Sequence, residues 1–374
     1  MKFSRSYKEI VVPACMLASL IIGAGMFSLP YVTSRSGILA GLFYLLAFTG
    51  VMSLIHVFYG DIVIADKSGR RFASQSRHYL GRKGFLIGAV SLVAGTTLAL
   101  TIYLILAEGF AKLMFPGFSV SVILFWVLGS AGIALGIKGI AGLNNLLTLF
   151  MVLLAGTVAF FGLKTGAGFW RSVPLWPRGD IALWLLPIGP FLFSLSGRGA
   201  IASIEDYFEA NRLDIRKMKK AIVWGTLGAA AVYLLFIVGM LGITAGAPAR
   251  DIMIDLALLP GYLKLLVAGL GLIAVFTSYV FLGLELKMVL EKDFRLRGNA
   301  ALAAVVVAPI AIYFAASRDL VSLISVAGGV FIALESAIVI LMWEKLKSKR
   351  FWLNRLIVFA FVVGALYEIF KRTI

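Results

Sequence analysis

Eleven apolar runs, each near the length of about 20 residues that a helix needs to cross a hydrocarbon core, follow one another along this chain. They cover roughly 10–33, 38–64, 84–112, 119–137, 140–163, 181–204, 219–244, 262–287, 299–316, 320–343 and 352–370. Lipid cannot hydrogen-bond a bare backbone, so each run must satisfy its own N–H and C=O groups. The short alternating segments of a barrel are missing, which leaves an all-α polytopic membrane protein of about 11 transmembrane helices. With 61% hydrophobic and 14% charged residues, a soluble domain is excluded. The net charge of +17 does not point to nucleic acid, because the basic residues sit in short loops between apolar runs. Cys15 is alone and lies inside an apolar run, so no intrachain disulfide can form. Lys2, Arg5 and Lys8 precede the first run as in a signal peptide, but that run continues to about Pro30 and ten more follow, so it reads as the first span.

Lysine and arginine are distributed unevenly when the amino terminus is placed in the cytoplasm and the spans alternate. The inner side collects 24, among them Lys67, Lys138 and the groups from Arg212 to Lys220 and Lys345 to Arg355. The outer side holds 10, including Arg250, Arg318, Lys371 and Arg372, and Arg198 lies within the membrane. This bias predicts a cytoplasmic amino terminus and an extracytoplasmic carboxyl terminus, and the expected location is the cytoplasmic membrane of a prokaryote, as a multi-pass protein. Trp170 and Trp176 then fall at the outer interface, and Trp343 and Trp352 at the inner one.

Two runs carry glycines where a helix should be firmest: Ile22-Gly23-Ala24-Gly25-Met26 in span one and Ser194-Leu195-Ser196-Gly197-Arg198-Gly199 in span six. Five spans precede the connection at 164–180, so spans one and six start on opposite sides. The expected organisation is a single transport domain over 1–374, with a first inverted repeat at 10–163, a second at 181–343 and an extra helix at 352–370. Matched interruptions in two inverted halves mark the binding site of a secondary transporter at mid-membrane. Each break offers N–H groups at one pole and carbonyls at the other. N–H groups at Gly23, Ala24, Gly25 and Met26 would hold a carboxylate, and carbonyls from Phe193 to Ser196 an ammonium group; together they suit a zwitterion such as an α-amino acid. The plainer alternative is that these glycines let helices pack closely.

The segment Gly23-Ala24-Gly25-Met26-Phe27-Ser28-Leu29-Pro30-Tyr31 resembles the first-helix signature of the hydroxy and aromatic amino acid permeases, within the amino acid, polyamine and organocation superfamily. Span six resembles the broken helix of the wider group that shares a five-plus-five inverted fold. The resemblance implies alternating-access transport of an amino acid driven by an ion gradient, with substrate between spans one, three, six and eight. It also implies a tyrosine, here Tyr103, donating to the substrate carboxylate. Substrate contacts are thus expected at Gly23, Ala24, Gly25, Met26, Tyr103, Phe193, Ser194, Ser196 and Arg198.

Ala274, Thr277 and Ser278 share one face of span eight at i, i+3 and i+4, and their hard oxygens suit sodium. In sodium-coupled members of the fold such a face meets carbonyls that map here to Ser19 and Ile22. Alternatively, Thr277 and Ser278 bond their own backbone. Arg198 and Glu335 are the deepest charges, each costing about 2.5–3.5 kcal/mol at a helix centre. Arg198 departs from the family pattern; it would select an acidic substrate, or pair with Glu335 or Glu108. Glu335 would otherwise carry the coupling proton, so the coupling ion is sodium or proton. Glu108, Asp61 and Glu285 are placed near span ends as interfacial charges, and Pro187 and Pro190 should kink span six.

No hydrolase, metalloprotease or phosphate-loop motif is present, and His56 and His78 are the only histidines, so neither an enzyme nor a nucleotide-driven pump is expected. No cofactor is called for. The partners are a small amino acid and the bilayer, with oligomeric state open. An amino acid exchanger, or a channel for small polar solutes built on the same fold, is the alternative to an ion-coupled symporter.

Overall fold

A computed structural model describes residues 5–66, 68–117, 121–136, 140–166 and 168–370, with the side chains of 140–147 left aside. Lys2, Lys67, Lys138, Lys371 and Arg372, which entered the charge count, lie outside the described residues, as do the edges of the expected fourth span. Among the described residues there is no β-strand. Nine helices among the described residues are long and apolar enough to cross a membrane, ten when the bent pair Tyr7–Ile21 and Ala24–Ser36 is taken as one span. Ser121–Leu135, an apolar helix of 15 residues, occupies the fourth position.

Their order matches the apolar runs: spans two and three are Ile38–Ala65 and Phe72–Met114, span five Ile140–Thr165, and span seven Met218–Ile243. Spans eight to eleven are Gly261–Lys292, Gly298–Ala315, Leu320–Lys347 and Trp352–Phe370. Burial separates centre from rim: 78% of the apolar window of span ten is buried but only 22% of those of spans nine and eleven. Rim helices keep apolar residues on their outward faces because lipid, not water, is the solvent there.

Span one is helical over Val12–Ile21, loses its ladder at Ile22 and Gly23, runs through a 3₁₀ stretch at Ala24–Ser28 and resumes as Leu29–Ser36, bent by 48°. Pro30 sits in the first turn of the resumed helix, where its missing N–H costs nothing. Span six divides twice. Ile181–Leu185, capped by the Asp180 carboxylate on the Ala182 N–H, ends before Pro187; Ile188–Ser194 follows, and Arg198–Ala210 resumes beyond the break.

Span three differs from expectation. Its helix begins at Phe72 rather than near 84, and Gly81, at φ +73°, turns the first segment away from the span proper. Only glycine takes that conformation cheaply. The leading segment buries Phe72, Ala73, Gln75 and Ser76 against the bundle while Arg77 and His78 reach outward, a pattern too short and polar for a hydropathy window to register.

Candidate functional site

The two breaks touch. A Cβ on Gly25 would lie 2.4 Å from Ser194 Oγ and 2.5 Å from Ser194 Cα, so the middle of the span-one break rests directly on the last helical turn before the span-six break. Ser194 Oγ is turned back to donate to the Pro190 carbonyl at 2.7 Å. Beside this contact a cavity of about 70 Å³ is lined by both breaks, by Gly95, Thr96, Ala99 and Tyr103 of span three, by Leu282 and Glu285 of span eight, and by Ile332 and Glu335 of span ten. Tyr103 enters from the span-three side, its hydroxyl 3.3 Å from where a Gly23 Cβ would stand.

Span seven secures the breaks from behind. Tyr233, fully buried, donates its hydroxyl to the Ser194 carbonyl at 2.7 Å and also meets the Ile21 carbonyl, so it reaches the carbonyl end of each half-helix. On the other edge of the span-six break, Gly197 N–H donates to His56 Nε2 at 3.0 Å. His56 Nδ1 lies 3.1 Å from Thr226 Oγ1, which itself donates to the Ile222 carbonyl. That chain of donors requires a neutral imidazole with its proton on Nδ1: Nε2 must accept, and the threonine proton is already committed.

Arg198 opens the second half of span six and is caged. Its Nε donates to Glu335 Oε2 at 2.8 Å, Nη1 lies 3.6 Å from Glu285 Oε1, and the guanidinium stands 4.4 Å from the Phe72 ring centroid and 5.6 Å from that of Tyr59. One cation therefore faces two carboxylates, with aromatic faces covering its other sides. Gly199 leaves room for the carboxylate, since a Cβ there would fall 2.2 Å from Glu285 Oε2 and oblige that side chain to move.

A model of the tryptophan/tyrosine permease family matches residues 6–365. The chain belongs to that family. Two relatives from Haemophilus influenzae (strain ATCC 51907 / DSM 11121 / KW20 / Rd) are tyrosine-specific transport systems. System 1 is 23% identical over 292 residues, 74% of this chain and 71% of the relative. System 2 is 25% identical over 238 residues, 60% of this chain and 55% of the relative. Among solved structures, MhsT in complex with L-phenylalanine superposes with a TM-score of 0.70 at 15% identity, covering 94% of this chain and 98% of that one. A manganese transporter of Eremococcus coleocola, in complex with an aromatic bis-isothiourea substituted compound, gives 0.66 at 14%, covering 98% and 86%. The permease is thus a multi-pass membrane transporter with the fold of these proteins, as the Gly23–Tyr31 resemblance implied.

Of the residues expected to meet substrate, the permease brings Gly23, Ala24, Gly25, Tyr103, Phe193, Ser196 and Arg198 to the cavity. Met26 and Ser194 are buried beside it without lining it. In the expected ion set, Ser19 Oγ donates to the Met16 carbonyl and Thr277 Oγ1 to the Ala274 carbonyl, each at 3.0 Å. Ile22 caps the first half-helix, and Ala274 is buried. The Ser19 and Thr277 hydroxyls are thus each bonded within their own helix. No group of three or more His, Cys, Asp or Glu side chains could hold a metal among the described residues.

Two placements are corrected. Glu108 does not reach Arg198: it pairs with Lys112 at 2.7 Å, accepts from Tyr313 and lies 3.6 Å from Arg318, because its turn of span three sits at the far end of the bundle. Glu285 is no interfacial charge; span eight continues to Lys292, which moves Glu285 inward to the cavity. His56 and Tyr233 were missed. A lone membrane histidine or tyrosine carries no spacing signal, and only the chain's path shows that both reach a break.

Proposed function

We propose that the permease is a secondary, ion-coupled symporter of amino acids, working by alternating access in the cell membrane with its amino terminus cytoplasmic. Residues 10–163 and 181–343 act as its inverted repeats and 352–370 as an added helix. The observation that carries this reading is the contact of two broken helices around one shared cavity. The N–H groups that start the outer half of span one, at Ala24 and Gly25, are the carboxylate pole, with Tyr103 across from them. The carbonyls that end the first half of span six are the ammonium pole.

Side-chain preference follows from the same lining. Arg198 is already held by two carboxylates, so it is poorly placed to bind an acidic substrate. Phe193, Leu282 and Ile332 offer apolar surface instead. An aromatic amino acid fits these walls, which agrees with the substrates named for the Haemophilus relatives and for the MhsT complex. For coupling, one guanidinium between Glu335 and Glu285 leaves an excess negative charge in a buried place, which a proton would neutralise; a proton is the favoured coupling ion.

Proteoliposome uptake of a labelled amino acid panel, with proton and sodium gradients imposed separately, tests the reading. Saturable uptake of tyrosine, tryptophan or phenylalanine driven by an inward proton gradient is expected. Accumulation driven by sodium alone would return the coupling site to Ser19, Ile22, Ala274, Thr277 and Ser278, and absence of saturable uptake for every amino acid would overturn the substrate class.

A further inference from the structure

Tyr233 is the residue of span seven that touches both breaks at once. Its hydroxyl meets the carbonyls of Ile21 and Ser194. Ile21 is the last residue of Val12–Ile21 and Ser194 the last of Ile188–Ser194, so both carbonyls belong to helix C-termini. Aligned peptide dipoles leave roughly half a negative charge at such an end. Two of these ends meeting in an apolar interior repel each other, and the phenolic proton stands between them. A hydroxyl has one proton and each carbonyl has two lone pairs, so the pair remains short of donors. Such a place accepts a further positively charged donor.

We infer that Tyr233 is the positioning residue of the ammonium pole: from behind the breaks its hydroxyl holds the Ile21 and Ser194 carbonyls together, and so sets where the ends of the two half-helices, with Ile21 at the cavity wall, meet the ammonium group of the substrate. This rests on the amino acid reading above. The path of span seven supports it. Thr226 lies seven residues, about two turns, before Tyr233 on the same helix face, and through His56 it fixes the Gly197 N–H at the opposite edge of the span-six break. One face of one helix therefore grips both edges of that break and the carbonyl end of the other. A phenol suits the task because it donates without bringing a fixed charge that would occupy the pole permanently.

Tyr233→Phe removes one oxygen and tests the assignment. Inhibition of labelled L-tyrosine uptake into proteoliposomes is measured for two probes: unlabelled L-tyrosine, and 3-(4-hydroxyphenyl)propionate, which keeps the ring and carboxylate but lacks the ammonium group. The wild-type chain should prefer the amino acid, and Tyr233→Phe should reduce that preference about tenfold by weakening L-tyrosine while leaving the analogue unchanged. Equal weakening of both probes, or an unchanged ratio, would overturn the assignment, since general loosening of the fold does not distinguish an amine. As a second measurement that keeps the hydroxyl, 3-fluorotyrosine at position 233 should shift its fluorine resonance on addition of L-tyrosine but not of the analogue; the same response to both, or to neither, would also overturn it. Failure of the wild-type chain to take up any amino acid would remove the functional reading itself, and this inference with it, whereas uptake with an unchanged ratio removes this inference alone.

Discussion

Arg198 and Glu335 join spans six and ten through a 2.8 Å bond from Nε to Oε2, 137 residues apart in the chain. Each side chain is only 10% exposed. Removing one partner of such a pair strands the other. Arg198→Ala should therefore cost about 3–5 kcal/mol and abolish uptake, while Arg198→Ala combined with Glu335→Gln should recover part of the thermal stability but no proton-driven accumulation. Arg198→Lys should fail to substitute, because an ammonium cannot reach both carboxylates while stacking on Phe72. Detergent melting curves and uptake on the four proteins check this.

Gly25→Ala places a methyl group inside the van der Waals envelope of Ser194. Overpacking of this kind costs about 1–3 kcal/mol, and pairing it with Ser194→Gly, which removes the Cβ and Oγ contacts, should return part of the loss. A melting curve for the double variant no higher than for Gly25→Ala alone would show that the backbone, not the serine side chain, sets the limit.

The two readings of the membrane glycines turn out not to be alternatives at Gly25. It lies in the break and lines the cavity, yet the space its missing side chain frees is filled by Ser194. Glycine interruptions at matched positions were legible because they violate the pattern of an apolar span, and eleven runs were legible because lipid tolerates few charges. The cage around Arg198 was half legible: Glu335 stood out by depth, whereas Glu285 falls next to the expected end of span eight at 287 and so reads as an interfacial charge. Phe72 had no signal at all, since a short helix folded back at Gly81 reads as a loop in any window tuned to membrane spans.

His56→Leu leaves the Gly197 N–H buried without an acceptor, at a cost of about 1–3 kcal/mol. His56→Gln offers an amide oxygen to Gly197 and an amide N–H to Thr226, so it should retain more stability and uptake than His56→Leu. Similar losses in both variants would mean that the ring's volume, not its hydrogen bonds, is what span six requires.

Asp255, in the short helix Ile252–Ala257 between spans seven and eight, accepts from the Ala249 N–H with both oxygens, at 3.1 and 3.0 Å. Burial pushes its carboxyl up from 3.8 to about 6, against the lowering effect of the Ala249 N–H and with a smaller push from Asp251. Between those values the folded chain holds a proton that the unfolded chain has lost, so this contribution to stability is full below about pH 4 and is lost as pH rises through about 6. The melting temperature of Asp255→Asn relative to wild type should accordingly rise between pH 4.5 and 7.5; a flat difference would place the carboxylate in water.

The ring of Phe72 lies 4.4 Å from the Arg198 guanidinium, and Phe72 belongs to the short helix that Gly81 detaches from span three. That ring therefore covers a dielectric boundary. With it in place, the guanidinium and its two carboxylates feel one another through a medium far less polar than water, and water admitted on that side would weaken their attraction. The strength of the charge cluster and its access to water are thus linked through one aromatic contact supplied by the segment before Gly81.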